Sequence, residues 1–152
     1  MQSLRKKKMN KLKLILSNQS LFEDSKDWAL LVLRVIPSFY LFFYHGMGKI
    51  TAGTETWAWL GGAVLGIVGI SFGHILFGFL AAVSEGVLTL FVLVGLKTRL
   101  SSFFVMMTMF FAGVFHLSGG ESPESAVIYF AVYFTIFLRG PGKFSMDTKL
   151  NL

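Results

Sequence analysis

Two charged residues lie within apolar stretches of this sequence, where a charge is costly. Arg34 lies six residues after Trp28 in one apolar run, and Glu85 lies eleven residues before Leu96 in another. A charge at the centre of a membrane helix costs at least about 2.5 kcal/mol and usually has a partner or a function. Helix geometry separates their depths by about 7 Å, which an Arg side chain can bridge. We therefore expect Arg34 and Glu85 to pair, as a structural clamp, a proton relay or a polar contact to a head group or quinone ring.

Histidines form a second group of candidate residues. His45 and His116 each lie near the end of an apolar run, about 26 and 24 Å from its start, and His74 begins a third run. Because the two helices that carry His45 and His116, the first and third spans, run in the same direction, these residues reach nearly equal depth, close to Lys49. We expect these three residues to line one polar pocket, where histidine could exchange protons. A structural role at the membrane surface stays open, and the spacing predicts no metal site.

Composition excludes several classes of protein. The chain has 152 residues, enough for one domain, with 54% hydrophobic and 14% charged residues; soluble domains carry about 25% charged residues. It contains no cysteine, which excludes disulfides, thiolate metal sites, cysteine nucleophiles and redox chemistry by its own dithiol. The net charge of +6 could suggest nucleic acid, but the basic residues follow a membrane pattern instead, so no nucleic-acid partner is expected.

Long apolar runs predict the elements that position these residues. A membrane helix needs about 20 mostly apolar residues, and four stretches qualify as spans, at about 28–46, 73–96, 100–116 and 123–138. Lipid offers no hydrogen-bond partners, so the backbone groups of each span must bond to one another, and each span is therefore a helix. The predicted fold is therefore all-α, a polytopic four-helix membrane bundle over 28–138.

Basic residues decide the orientation of this bundle. With four spans, twelve of the fourteen Lys and Arg residues fall on one side: seven before Trp28, two between 97 and 99, and three after Leu138. Lys and Arg concentrate in cytoplasmic loops, so the tails 1–27 and 139–152 are both predicted to be cytoplasmic. Five spans would split the basic residues almost evenly. The basic N-terminal tail is either a topogenic charge cluster or a segment that lies on the inner leaflet.

A Gly-rich stretch between the first two spans is predicted as a short helix at the outer face. Gly62, Gly66, Gly69 and Gly73 recur at helical spacing, which would place them on one face. Small residues on one face let helices approach closely. A packing surface and a ligand cradle both remain open for this face.

The sequence resembles the DoxX family of small four-helix membrane proteins. The resemblance rests on several pieces in order, which cover roughly 27–147: LLVLR with Arg34, YHGMGK with His45 and Lys49, AAVSEGVLTLFVLVGLKTRL with Glu85, FH with His116, and the closing GPGKFSMD at 140–147. It implies a multi-pass protein of a bacterial cytoplasmic (inner) membrane. Some relatives pass electrons to quinone, whereas others assist the maturation of redox enzymes or join complexes against oxidative stress.

Two functions follow from the resemblance and the residues together. In the first, the chain is a membrane subunit of a quinone-linked oxidoreductase. His45, His116 and Glu85 are then candidate catalytic residues, and Arg34 and Lys49 join them as candidate quinone-binding residues. No covalent cofactor is expected, and a quinone or a partner redox subunit must carry the electrons. In the second, it is a non-catalytic scaffold or maturation factor. The expected partners are the lipid bilayer and a redox subunit, with a second copy of the chain as a further candidate.

Overall fold

The structure, a computed structural model, describes residues 25–152. Every regular element in this part of the chain is helical. Two helices each contain a π-helical turn, in which one extra residue is accommodated. The elements are α1 (Ser25–Leu41, the π turn Phe42–Gly46 and Met47–Thr51), α2 (Thr54–Leu65), α3 (His74–Val83, the π turn Ser84–Leu88 and Thr89–Val94), α4 (Thr98–Ser118), α5 (Glu124–Arg139) and α6 (Met146–Leu150). The predicted basic N-terminal tail lies almost entirely outside the described residues.

Three helices are long and apolar enough to cross a membrane: α1 over Ser25–Thr51, α3 over His74–Val94 and α4 over Thr98–Ser118. α5 corresponds to the fourth predicted span and has 16 residues, a rise of about 24 Å. It packs along α4 through aromatic pairs such as Phe103 with Phe137 and Phe110 with Phe130. The predicted all-helical membrane fold is thus confirmed.

Both described ends of the chain lie at one end of the bundle, which we call the terminal end. The Trp28 ring lies 4.8 Å from that of Phe144, and the backbone N–H of Lys143 donates to Asp27 Oδ1 at 3.2 Å. The start of α1 is therefore fastened to the segment that follows α5. The other end, which we call the opposite end, carries α2 and the α4–α5 loop.

The bundle interior mixes apolar packing with a few satisfied polar groups. Its core comprises eight buried side chains: Leu30, Leu41, Val92, Val105, Met106, Met109, Tyr133 and Ile136. Tyr133 is fully buried, and its hydroxyl donates to Ser38 Oγ at 3.0 Å, which removes the cost of an unpaired buried hydroxyl. The outward faces of the helices carry many large exposed apolar side chains, the arrangement that a lipid environment favours.

The predicted glycine face is wrong, because the α-helix contains only the first of its four glycines, and the second lies in a short 3-10 turn. α2 stops at Leu65, and Gly69 takes a left-handed conformation with φ of 74°. A different pair allows close packing: a Cβ on Gly61 would overlap the backbone carbonyl of His74, and one on Gly78 would overlap that of Trp57. α2 and α3 therefore meet backbone to backbone, which holds α2 against the bundle.

Candidate functional site

A buried ion pair joins α1 to α3. Lys49 Nζ donates to both carboxylate oxygens of Glu85, at 2.7 Å to Oε1 and 2.6 Å to Oε2. Glu85 is only 2% exposed, whereas Lys49 is 29% exposed. The charge of Glu85 is thus neutralised inside the bundle by a cation that keeps part of its surface accessible.

Two π-helical turns place this pair. Lys49 follows the turn Phe42–Gly46 on α1, and Glu85 lies within the turn Ser84–Leu88 on α3. The two turns touch, since a Cβ on Gly46 would overlap the backbone carbonyl of Glu85. Single π turns often occur at functional sites, because the extra residue re-aims a side chain. The short inter-helix distance lets Lys49 reach Glu85.

α2 fixes the backbone beside Lys49. The indole N–H of Trp57 donates to the carbonyl oxygen of Lys49 at 2.9 Å, and this carbonyl belongs to the last turn of α1. The backbone N–H of Ala52 also donates to this carbonyl, at a longer 3.4 Å. Trp57 therefore adds a shorter bond to a carbonyl near the end of α1 and ties α2 to the residue that carries the cation.

The ion pair opens onto a cavity of about 220 Å³ between α2, α3 and α4. Its polar lining comes from Lys49, Glu85, Thr108 and His116, and the rest is apolar or aromatic, including Trp59 and Phe115. A second cavity of about 290 Å³ adjoins it and is almost entirely apolar. The two share four lining residues: Leu60, Val64, Ala81 and Thr108. Together they offer a polar compartment and an apolar one, within the usual range of about 300–1,000 Å³ for ligand sites.

His116 connects this cavity to the surface at the opposite end. Its Nδ1 lies 2.7 Å from Oε2 of Glu121, a carboxylate that is 69% exposed. His45 does not join them: it is exposed, and its ring lies 6.3 Å from that of Tyr129 on α5. The predicted pocket of His45, Lys49 and His116 is therefore wrong in one member, and Glu85 takes the place of His45.

Arg34 lies away from the cavity, so the predicted Arg34–Glu85 pair is wrong. The Arg34 side chain is 1% exposed and points to the terminal end, where Nη1 donates to the carbonyl of Pro141 at 2.6 Å and Nη2 to that of Phe144 at 3.1 Å. Helical side chains lean toward the N-terminus of their own helix. On α1 this direction carries Arg34 away from Glu85 and carries Lys49 toward it.

The same terminal segment caps α4. Asp147 accepts hydrogen bonds from the backbone N–H groups of Lys97 at 2.6 Å and Thr98 at 2.8 Å, and from the Thr98 hydroxyl at 2.7 Å. Burial raises the pKa of Asp147, but these hydrogen bonds and the charge of Lys97 outweigh it and hold the pKa below its ordinary value. The carboxylate therefore stabilises the first turn of α4.

Comparison with known proteins identifies the family. The family model described as DoxX matches residues 29–117, more than half of the chain. The chain belongs to the DoxX family. No curated protein and no solved structure matches it significantly.

The DoxX match divides the polar residues into two groups. Arg34, Lys49, Glu85 and His116 lie within the matched residues. Glu121, α5 and the segment that holds Arg34 lie beyond them. The DoxX region thus contains the ion pair and every residue that lines the two adjoining cavities, so the candidate site is complete within the matched region.

Sequence reasoning missed three features of this DoxX site: the Lys49–Glu85 pairing, the Trp57 bond and the aromatic lining from Trp59. The direction in which helical side chains lean would have found the first. No sequence signal marks the other two, because they depend on how α2 folds back onto α3. Within residues 25–152, no group of three or more His, Cys, Asp or Glu side chains is suited to hold a metal.

Proposed function

We propose that this DoxX protein is the membrane subunit of a quinone-linked oxidoreductase system and binds the quinone head beside Lys49, Glu85 and His116. The observation that carries the proposal is the buried ion pair open to a cavity that continues into an apolar compartment. A quinone has the same division, with carbonyl oxygens on its ring and an apolar tail. The polar compartment matches the ring, and the apolar one matches the start of the tail.

The side chains of the cavity suit quinone chemistry. A quinone carbonyl only accepts hydrogen bonds, and Lys49 is a donor with an accessible fraction of 29%. Glu85 balances the charge of Lys49 when no ligand is present. His116 supplies an imidazole, a side chain that can carry a proton. The site therefore contains a carbonyl donor, a counter-charge and a proton carrier within one largely apolar enclosure.

The reaction assigned to this site is reduction of a quinone to a quinol, which consumes two electrons and two protons. The chain contains no cysteine to form a thiol redox couple, so we assign the electrons to the redox centre of a partner subunit. Residues of this chain hold the ring and deliver protons to its two oxygens. The reverse reaction returns both protons and both electrons by the same route.

A second candidate is a non-catalytic scaffold or maturation factor, favoured by an aromatic ridge on α1. Phe39, Tyr40, Phe43 and Tyr44 are all largely exposed, and they pack in pairs along the helix, with ring centroids 4.5 Å apart for Phe39–Phe43 and 5.7 Å for Tyr40–Tyr44. Such a ridge offers a partner a rigid apolar surface within the membrane. The scaffold function needs no ligand in the cavity.

We also propose that four helices span a bacterial inner membrane with both termini in the cytoplasm. The contacts of α1 with the segment after α5 support an even number of crossings, and the basic residues support a cytoplasmic terminal end. A reporter fused after Leu152 should be active in the cytoplasm. Activity confined to the periplasm would contradict this topology.

Tryptophan fluorescence tests the quinone site directly. Trp59 lines the cavity, whereas Trp28 lies at the terminal end, so its quenching would not depend on the site and is removed by substitution. In detergent, the short-chain quinone decylubiquinone should quench the Trp28→Phe variant saturably. Replacing Trp59 with Phe in this variant should remove most of the saturable component, because the remaining Trp57 lines neither of the two adjoining cavities.

Substitutions in the ion pair complete this test. Loss of a charge-assisted hydrogen bond costs about 1.5–3 kcal/mol, so Lys49→Met should raise the Kd for decylubiquinone at least tenfold. Lys149→Met, which changes an exposed lysine at the terminal end, is the matched control and should leave the Kd unchanged. An absence of saturable quenching in the wild type, or equal affinity in both variants, would contradict the quinone site and favour the scaffold.

A further inference from the structure

The loop after α4 holds His116 and Glu121 together at two points. The Glu121 backbone N–H donates to the carbonyl of His116 at 2.9 Å, while the Glu121 carboxylate lies 2.7 Å from Nδ1 of the His116 ring. The loop turns at Gly120, whose φ of 75° is costly for other residues. The backbone bond and the side-chain contact therefore both hold Glu121 next to the ring of His116.

This contact decides which ring nitrogen of His116 carries hydrogen. An ionised carboxylate only accepts hydrogen bonds, so Nδ1 must donate to it. In the neutral ring, Nε2 is then an acceptor without hydrogen; in the charged ring, Nε2 is a donor. Among residues 25–152, Nε2 has no hydrogen-bond partner, and His116 is one of the residues that line the cavity.

The two redox forms of a quinone need opposite states of Nε2. A quinone carbonyl only accepts a hydrogen bond and needs the charged ring, whereas a quinol hydroxyl can donate to the neutral ring. Building on the proposed function, we propose that His116, held in one tautomer by Glu121, passes its Nε2 proton to the quinone oxygen and thereby distinguishes quinone from quinol. Glu121 acts as a positioning residue, since it contacts the ring of His116 and does not line the cavity.

The proton balance follows from this assignment. As two electrons reach the ring, one O–H bond forms with the proton that leaves Nε2, and His116 becomes neutral. The second proton and the one that restores His116 come from the opposite end, where Glu121 is exposed. The other titratable groups that line the cavity are Lys49 from α1 and Glu85 from α3, which neutralise each other, and α2 contributes none.

The test is the pH dependence of affinity for both redox forms, measured with the full-length protein. Decylubiquinone binding is followed by quenching of Trp59, and decylubiquinol by its competition with decylubiquinone, between about pH 5 and pH 8. A ligand that needs one bound proton loses affinity by up to tenfold per pH unit. Wild-type affinity for the quinone should therefore fall as pH rises, while affinity for the quinol should not.

Three variants separate the roles of the residues. His116→Gln should bind both forms with no pH dependence. Glu121→Gln should reduce the slope of quinone affinity against pH at least threefold. An amide can also donate a hydrogen bond to Nδ1, and the neutral ring can then carry its hydrogen on Nε2. Glu124→Gln removes a nearby exposed carboxylate and should behave as the wild type.

The outcomes distinguish this inference from the proposed function. If wild-type quenching is saturable but Glu121→Gln keeps the wild-type profile, or His116→Gln keeps its pH dependence, the role of the pair is overturned while the quinone site stands. If no saturable quenching occurs at any pH, the quinone site is overturned, and this inference with it.

Discussion

Arg34 and Glu85 are both buried charges in one bundle, but their surroundings differ in kind. Arg34 is held by the backbone carbonyls of Pro141 and Phe144, so its charge fastens the terminal segment to the helices. Glu85 is held by one side chain, Lys49, whose amine also faces a cavity. A carbonyl clamp cannot exchange partners without moving the backbone, whereas an ion pair beside a cavity can transfer a hydrogen bond to a ligand.

Each region thus suits a different task. At the terminal end, the polar groups join parts of the chain that are distant in sequence: Arg34 to the segment after α5, and Asp147 to the start of α4. At the ion pair, polar groups of three helices converge on enclosed space. Burial of a charge therefore does not identify a functional site in this protein, but the nature of its partners does.

The largest effect should come from removing the clamp. Arg34→Leu deletes two hydrogen bonds from a buried cation, each worth about 1.5–3 kcal/mol, and leaves two carbonyls without a partner. We expect the free energy of unfolding to fall by about 3–6 kcal/mol, measured by thermal unfolding in detergent. Decylubiquinone affinity should persist below the melting temperature.

Arg99→Leu is the matched control for this change. Arg99 also donates to a backbone carbonyl, that of Phe137 at 3.1 Å, but it is exposed, so its loss should have little effect. If Arg34→Leu melts at the same temperature as Arg99→Leu, the contrast between the two regions would not hold.

The second effect concerns the ion pair itself. Glu85→Leu leaves the Lys49 amine without its buried partner, which should cost about 3 kcal/mol, near the lower end of the range for a broken buried pair. The double variant with Lys49→Met should recover part of this loss, because no unpaired charge remains. A double-mutant cycle of melting free energies measures the coupling; a coupling near zero would make the pair a weak surface contact.

The sequence predicted the helices and the depth of each charge, but it assigned the wrong partners. Apolar runs determine where helices lie, and both Arg34 and Glu85 are buried as expected. Depth alone, however, does not tell which way a side chain leans. On α3, which runs against α1, Glu85 leans toward the opposite end, where Lys49 lies. Including that direction would have predicted Lys49 as the partner.

Two other differences have causes that a single sequence does not reveal. A π turn inserts one residue, which rotates the following side chains by about 100° relative to a regular helix. The turn in α1 contains His45, whose ring faces Tyr129 on α5 and not the cavity. The position of α2 depends on the contact between Gly61 and α3, and composition does not distinguish that glycine from its neighbours.

The third effect tests whether the contact of the π turns positions the ion pair. Gly46→Ala would place a methyl group against the carbonyl of Glu85, and such overpacking costs about 1–3 kcal/mol. We expect a loss of about 2 kcal/mol in stability, together with weaker decylubiquinone binding. Gly48→Ala adds the same methyl group where nothing lies within 4 Å, so it should be neutral or slightly stabilising. Equal behaviour of the two variants would show that the turns do not position the site.

The smallest effect returns to the terminal end and depends on pH. Asp147→Asn weakens a cap on α4, which should cost about 1–2 kcal/mol at neutral pH. The folded pKa of Asp147 lies below its ordinary value, so the stabilisation is fully present above about pH 4 and disappears as pH falls through the folded pKa. The melting temperatures of wild type and variant should therefore converge in acid.

Asp27→Asn is the control for this change: it weakens a single hydrogen bond of 3.2 Å and should change stability less. A difference between Asp147→Asn and wild type that stays constant down to about pH 2 would show that the carboxylate charge does not stabilise this end, whereas decylubiquinone affinity should be unaffected in either case.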